Sequence, residues 1–311
     1  MTSHNKANHR NNHQSVPDIP STLSPFRYPG GKSGLRSRII GWMKNLGFRP
    51  QHFLEPFAGG SSVGLAVAEL DLADHVTLVE LDPDVAAVWK VILGGKADSF
   101  AGRIRKFTLT RNSARKALQS TDSDLLSRAF RCLLLNRISR GGIIAPGAGW
   151  LKRGEHDKGI RSRWYPDTLA KRIESIHALR KKITFVEGDG LQILRDFSSA
   201  SRTVAFVDPP YVVKGRGAGL RLYRHHNVDC EDLFEIAQGF SGPMVITYHR
   251  SEIVWREAIA AGIKCHTVNM HTAHSASKRQ LILYKSGFNG AISAARSVAR
   301  GKARADGCRP S

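Results

Sequence analysis

The chain has 311 residues, a formal net charge of +21, 41% hydrophobic residues and 23% charged ones. That balance belongs to a globular protein able to bury a sizeable core, and the charge favours a polyanionic partner, DNA or RNA. There is no apolar run long enough to span a bilayer and no basic amphipathic helix with a clear aromatic face, which argues against a membrane role.

Residues 1–22 are polar, rich in Asn and His, and lack the apolar core of a signal peptide. They read as a disordered tail on a cytoplasmic protein. The next stretch, "PFRYPGGKS" (25–33), ends like a phosphate-binding P-loop. That loop needs a glycine five positions before Gly31, after a buried strand. Phe26 holds the position and "DIPSTLSPF" precedes it, so an ATP site is disfavoured and a Pro-Gly-Gly surface turn is the plain alternative.

Short apolar runs with strand character follow at 52–55, 75–80, 183–187, 203–208, 244–248, 264–270 and 279–284. Helical patterns separate several of them: "GLAVAEL", "VAAVWKVIL", "EDLFEIAQGF" and "SEIVWREAIAAG". Strands alternating with helices predict an α/β fold with a parallel sheet covered on both faces. The last two runs have no helix between them, which predicts a closing antiparallel pair.

Residues 100–182 interrupt the alternation with helical stretches and a long glycine-rich segment. Twenty Lys and Arg stand there against six Asp and Glu, a density suited to contacting phosphates. Trp150, Trp164 and Tyr165 lie among the charges, where aromatics can stack on bases. The plain alternative is a solvated basic insertion with a small core of its own. Residues 286–311, rich in Ala, Gly, Arg and Lys, read as a mobile basic tail. The four cysteines make no CxxC pair, and no metal site is expected.

Two motifs carry chemistry. "FLEPFAGGSSVGL" (53–65) is a strand, a glycine-rich turn and a helix start, and Glu80 ends the next strand about twenty residues on. An acid there can bind both hydroxyls of a ribose, so the pair indicates a nucleoside-containing cofactor. Glu55, just before the glycines, suits a cofactor with a positive charge and an amino-acid end. The second motif, "FVDPPY" (206–211), closes a buried strand at the carboxyl end of the sheet, where α/β folds bind ligands. A fixed acceptor, a stiff Pro-Pro turn and a flat tyrosine face fit the task of stacking on a planar base and accepting both hydrogens of its exocyclic amine.

Taken in order, "FRYPGGK", "FLEPFAGGSSVG" and "DPPY" resemble the Dam-type DNA adenine methyltransferases over most of residues 23–285, with the sequence after "LNRISRGGI" looking more like phage-borne members. The resemblance implies a Rossmann-like S-adenosylmethionine-dependent methyltransferase fold with an inserted, mainly helical target recognition domain at 100–182 and a catalytic domain at 23–99 and 183–285. It implies S-adenosyl-L-methionine as cofactor, held by Tyr28, Lys32, Glu55, Phe57, Ala58, Gly59, Glu80, Asp189 and Asp208. Glu80 departs from the Asp of the Dam enzymes proper. Asp208, Pro209 and Tyr211 would be catalytic, acting on an adenine amino group flipped from double-stranded DNA. Arg137, Arg140, Lys152, Arg153, Arg161 and Arg163 are the candidate DNA contacts, and a monomer is expected. The alternatives left open are methylation of another amine, such as DNA cytosine or RNA adenine, and a catalytically inactive DNA-binding relative.

Overall fold

The computed structural model describes residues 23–27, 33–145, 147–210, 228–249, 251–272 and 275–284. Among them, seven strands form one sheet: His52–Glu55 (β1), His75–Glu80 (β2), Ile183–Glu187 (β3), Thr203–Val207 (β4), Met244–His249 (β5), Lys264–Thr272 (β6) and Ser275–Tyr284 (β7), in the order β3-β2-β1-β4-β5-β7-β6. The first five pair in parallel, and β7 runs antiparallel between β5 and β6. The short link from β6 to β7 explains this, because a parallel neighbour would need a long crossover. This is the open, Rossmann-like α/β topology that the resemblance implied.

Side chains alternate along the central strands and feed two cores. Val204 and Phe206 of β4 join Phe53, Val76 and Leu78 on one face. Ala205 and Val207 join Leu54, Ile246 and Tyr248 on the other. Helices Ser33–Lys44 (α1), Ser62–Glu69 (α2) and Pro83–Leu93 (α3) cover the first face. Gly190–Asp196, Cys230–Gly239 and Glu252–Ala260 cover the second.

The helices of the basic region are Ala97–Lys106 (α4), Arg111–Gln119 (α5), Leu125–Ile138 (α6) and Pro166–Ala178 (α7); the three second-face helices just named are then α8, α9 and α10. The region does not close a core of its own. Phe100, Ile104, Phe130, Leu134 and Ile173 belong to the same cluster as β1, β2 and α3. Its aromatics also differ from expectation. Trp164 is buried, edge-on to Phe107 at 5.8 Å and to Phe130 at 6.3 Å, so it packs the core instead of facing a base. Trp150 lies half-buried against the same cluster, and Tyr165 is exposed.

Candidate active site

The chain leaves β1 for β2 and β3 on one side and returns to β4 on the other. The crevice at this switch, outside the carboxyl ends of the strands, is where such sheets bind ligands. Glu55 and Asp208 flank it.

Glu55 ends β1 and is almost fully buried. Its Oε2 accepts the Ser61 hydroxyl at 2.5 Å and the Gly64 amide at 2.8 Å. Gly64 has to be glycine, since a β-carbon there would overlap the carboxylate, Leu78 and the Ser61 hydroxyl. Burial pushes the Glu55 carboxyl up to about 8, against the pull of those two bonds, and the Asp208 charge adds to the rise.

The turn between Glu55 and Ser61 is clamped onto β2. The Ala58 amide donates to the Val79 carbonyl at 2.8 Å, and the Gly59 amide donates to Glu80 Oε2 at 2.9 Å. Trp89 Nε1 of α3 donates to the Gly59 carbonyl at 2.9 Å. Gly59 and Ser61 both take positive φ, 45° and 43°, a region that glycine enters without penalty and serine does not. Glu80 Oε1 accepts the Asp82 amide at 2.9 Å. Both carboxylate oxygens are thus held by backbone before any ligand arrives. Burial raises the Glu80 carboxyl to about 7, although the Asp82 and Gly59 amides oppose the rise.

Phe57 packs on the second core and Ala58 on the first, so the loop is anchored to both faces of the sheet. Asp189 is exposed and caps α8 by accepting the Leu191 amide at 2.9 Å. Gly190 sits so close to Pro56 that a β-carbon would overlap its carbonyl, which brings the start of α8 against the β1 loop. A pre-oriented carboxylate at the end of β2, a glycine turn clamped beside it and a second acid at the end of β3 fit a nucleoside: acceptors for ribose hydroxyls next to backbone that a ligand can approach closely.

Asp208 follows β4, half-buried, and its Oδ1 accepts the Thr247 hydroxyl of β5 at 2.6 Å. Thr247 is fully buried. Val207 pairs with Ile246, so the two residues meet directly after that pair. Thr247 escaped the sequence reading. Its signal was a hydroxyl in the apolar run "MVITY", where a buried polar group needs a partner. Pro209 is buried and Pro210 half-buried. Tyr28, Lys32 and Tyr211 lie outside the described residues.

The candidate DNA contacts divide. Arg140, Lys152, Arg153 and Arg161 are exposed, as a phosphate-facing surface requires. Arg137 and Arg163 are buried and are corrected as surface contacts. The Arg137 guanidinium donates to the Pro25 carbonyl. Beside it, fully buried Asn136 accepts the Arg27 amide at 2.9 Å and donates to the carbonyls of Arg27 at 3.0 Å and Gly142 at 2.6 Å. Arg172 of α7 donates to the Ser24 carbonyl at 3.1 Å. The "NR" of α6 therefore fastens the segment that leads into "YPGGK". Gly142, at φ 76°, comes too near the Arg27 carbonyl to carry a β-carbon.

Among the described residues there is no group of three His, Cys, Asp or Glu that could hold a metal ion, and no helix long and apolar enough to cross a membrane. The sequence matches no curated protein. Among solved structures it is similar to an rRNA methyltransferase of Streptomyces viridochromogenes, at 11% identity over 88% of this chain and 94% of that one, with a TM-score of 0.40. It is likewise similar to a provisional RNA methyltransferase of Pyrococcus horikoshii, at 12% identity over 86% and 89%, with a TM-score of 0.38. The model of the D12 class N6 adenine-specific DNA methyltransferases matches residues 28–264, and with the site just described the chain belongs to that family and uses S-adenosylmethionine as its cofactor.

Proposed function

We propose that this DNA adenine methyltransferase works through the residues gathered at the switch between β1 and β4. The observation that carries the reading is Asp208, fixed by Thr247 at the end of β4 and followed by Pro209 and Pro210. The bound cofactor supplies an activated methyl group on a sulfonium. Glu80 would accept the ribose hydroxyls, and Asp189 would lie toward the cofactor's adenine. Glu55, with the turn of Phe57, Ala58 and Gly59, would face its amino-acid end together with Tyr28 and Lys32.

The target amine hides inside the duplex, so the base has to leave the stack at a cost of about a few kcal/mol. Tyr211 would stack on it and return roughly 1–3 kcal/mol. The Asp208 carboxylate and the Pro209 carbonyl would each accept one amine hydrogen. That withdraws the nitrogen lone pair from the ring and aims it at the methyl group, so positioning and electrostatics supply most of the rate. The region 100–182 would act as the target recognition part, with Arg140, Lys152, Arg153 and Arg161 on phosphates of double-stranded DNA. A monomer in the cytoplasm completes the reading.

The test is to incubate the protein with labelled S-adenosylmethionine and unmethylated duplex, then digest the DNA to nucleosides. Label is expected in N6-methyladenine and is expected to vanish in Asp208→Ala, which should keep much of its DNA binding. Near-normal turnover in that variant would refute the assignment of Asp208.

A further inference from the structure

The segment before the cofactor motif passes through a cluster of like charges. Arg137 lies within electrostatic reach of Arg172, Arg27 and Arg163. Among the described residues, the acid in ion-pair contact with this group is Glu155, which meets Arg27 and Arg163. Its Oε1 lies 3.4 Å from Arg27 Nη2 and 3.5 Å from Arg163 Nε. Two of the four guanidiniums thus share one carboxylate, while Arg137 and Arg172 donate to the carbonyls of Pro25 and Ser24. Arg137 and Arg163 are more than nine-tenths buried, and the Nε of each lacks a hydrogen-bond partner. Burial and the three neighbouring charges pull the Arg137 guanidinium down to about 9. Buried guanidiniums with donors left without hydrogen bonds are costly unless an anion meets them.

Glu155 sits on an unusual support. In the loop Gly154–Gly159 two non-glycine residues, His156 and Asp157, take positive φ of 53° and 54°. Such left-handed conformations persist only where surrounding contacts hold them. The Arg27 and Glu155 side chains remain about two-fifths open to solvent, at 40% and 38%, so the cluster is reachable from outside. It also lies close to the chemistry: Phe26 packs on Trp89, whose indole holds the Gly59 carbonyl.

We propose that Arg27 and Arg172, set over the buried charges of Arg137 and Arg163, form a seat for one DNA backbone phosphate, and that Glu155 holds this seat until the duplex displaces it. The assignment rests on the reading of duplex DNA as substrate. Guanidinium groups suit the task, because their forked donors match phosphate oxygens. Release of Glu155 would let the strained loop relax as the phosphate enters.

The test is fluorescence anisotropy of a labelled duplex with the full chain over a range of salt concentrations. Each phosphate neutralised contributes about 0.9 to the slope of log K against log salt. Arg172→Gln is expected to lower the slope by about that amount and to weaken binding about tenfold. Arg172→Lys keeps the charge and should keep the slope. Glu155→Gln should tighten binding several-fold, because the competing carboxylate is gone. Equal behaviour of the Gln and Lys variants would mean that Arg172 serves only Ser24, and it would overturn the site. Weaker binding by Glu155→Gln would do the same, by making Glu155 an orienting partner and not a placeholder. If Arg172→Gln failed to fold, judged by its thermal melt, the half-exposed Glu155 variant would still decide. A wild-type chain that bound no duplex would sink the duplex reading itself, whereas wild-type binding with an unmoved slope would sink the phosphate seat alone.

Discussion

The hydroxyl of Thr247 donates to the carboxylate of Asp208 at 2.6 Å, tying β5 to the end of β4. In the role proposed for Asp208, an acceptor for one amine hydrogen, the carboxylate has to be held in place, and this bond fixes one of its two oxygens. Thr247→Val keeps the shape and removes the donor. Hydrogen bonds to charged groups contribute about 1.5–3 kcal/mol, so kcat should fall about tenfold or more, while the KM for S-adenosylmethionine changes little. An unchanged kcat with a lower melting temperature would reduce Thr247 to a packing residue.

Gly64→Ala tests the seat of Glu55. The new β-carbon would meet the carboxylate, Leu78 and Ser61 together, and two of these are buried core or strand-end groups that cannot swing away. Overpacking of this kind costs typically about 1–3 kcal/mol. The variant should melt lower and bind the cofactor more weakly, because Glu55 must leave its bonds to Ser61 and residue 64. A thermal melt beside a cofactor titration checks both, and wild-type values in the two would contradict the packing described.

The two raised carboxyls give a pH signature. Glu80 titrates near 7 and Glu55 near 8 in the fold, against an ordinary value of 4.5. Between 4.5 and these values the folded chain binds more protons than the unfolded one, so stability falls as pH rises. Their contribution is fully present below 4.5 and lost by the time pH passes about 8. A cofactor with a cationic end and ribose hydroxyls prefers both groups ionised. Its affinity should therefore rise from pH 6 to 8, with protons released on binding. Melting curves across pH, with and without S-adenosylmethionine, should show the gap widening upward. A gap that narrows would place these carboxylates away from the ligand.

The sheet was legible because its strands are short apolar runs between turn residues. β1, β2 and β3 begin and end where the runs do. β7 starts four residues earlier than its apolar run, because Ser275 already pairs with Thr272 across the hairpin, and pairing of polar residues leaves no hydropathy signal. The placement of Glu55, Glu80 and Asp208 was legible because each stands where an apolar run stops, Glu55 and Asp208 directly before a proline. Thr247 was not, since its partner lies 39 positions away and meets it only once β4 and β5 are neighbours. The depth of Arg137, Arg163 and Trp164 was not legible for a related reason. A charge or ring in a basic segment gives no sign of its depth, and here the helices of 100–182 turn those side chains into the shared core.

Asn136 offers the sharpest separation of anchoring from DNA contact. One buried amide satisfies three backbone groups, two on Arg27 and one on Gly142, just before the motif assigned to the cofactor. Asn136→Ala would leave those groups without partners, at about 1–3 kcal/mol for each one that stays buried. Asn136→Asp keeps the acceptor for the Arg27 amide but turns two donors into a repelling oxygen, so it should fare no better than alanine. If Asn136 positions the cofactor segment, the KM for S-adenosylmethionine should rise several-fold in both variants, with the salt dependence of duplex binding unaltered. If it belonged instead to the DNA-contacting surface, the salt slope would change and the cofactor KM would not. Measuring both quantities on protein that melts cooperatively decides between the two.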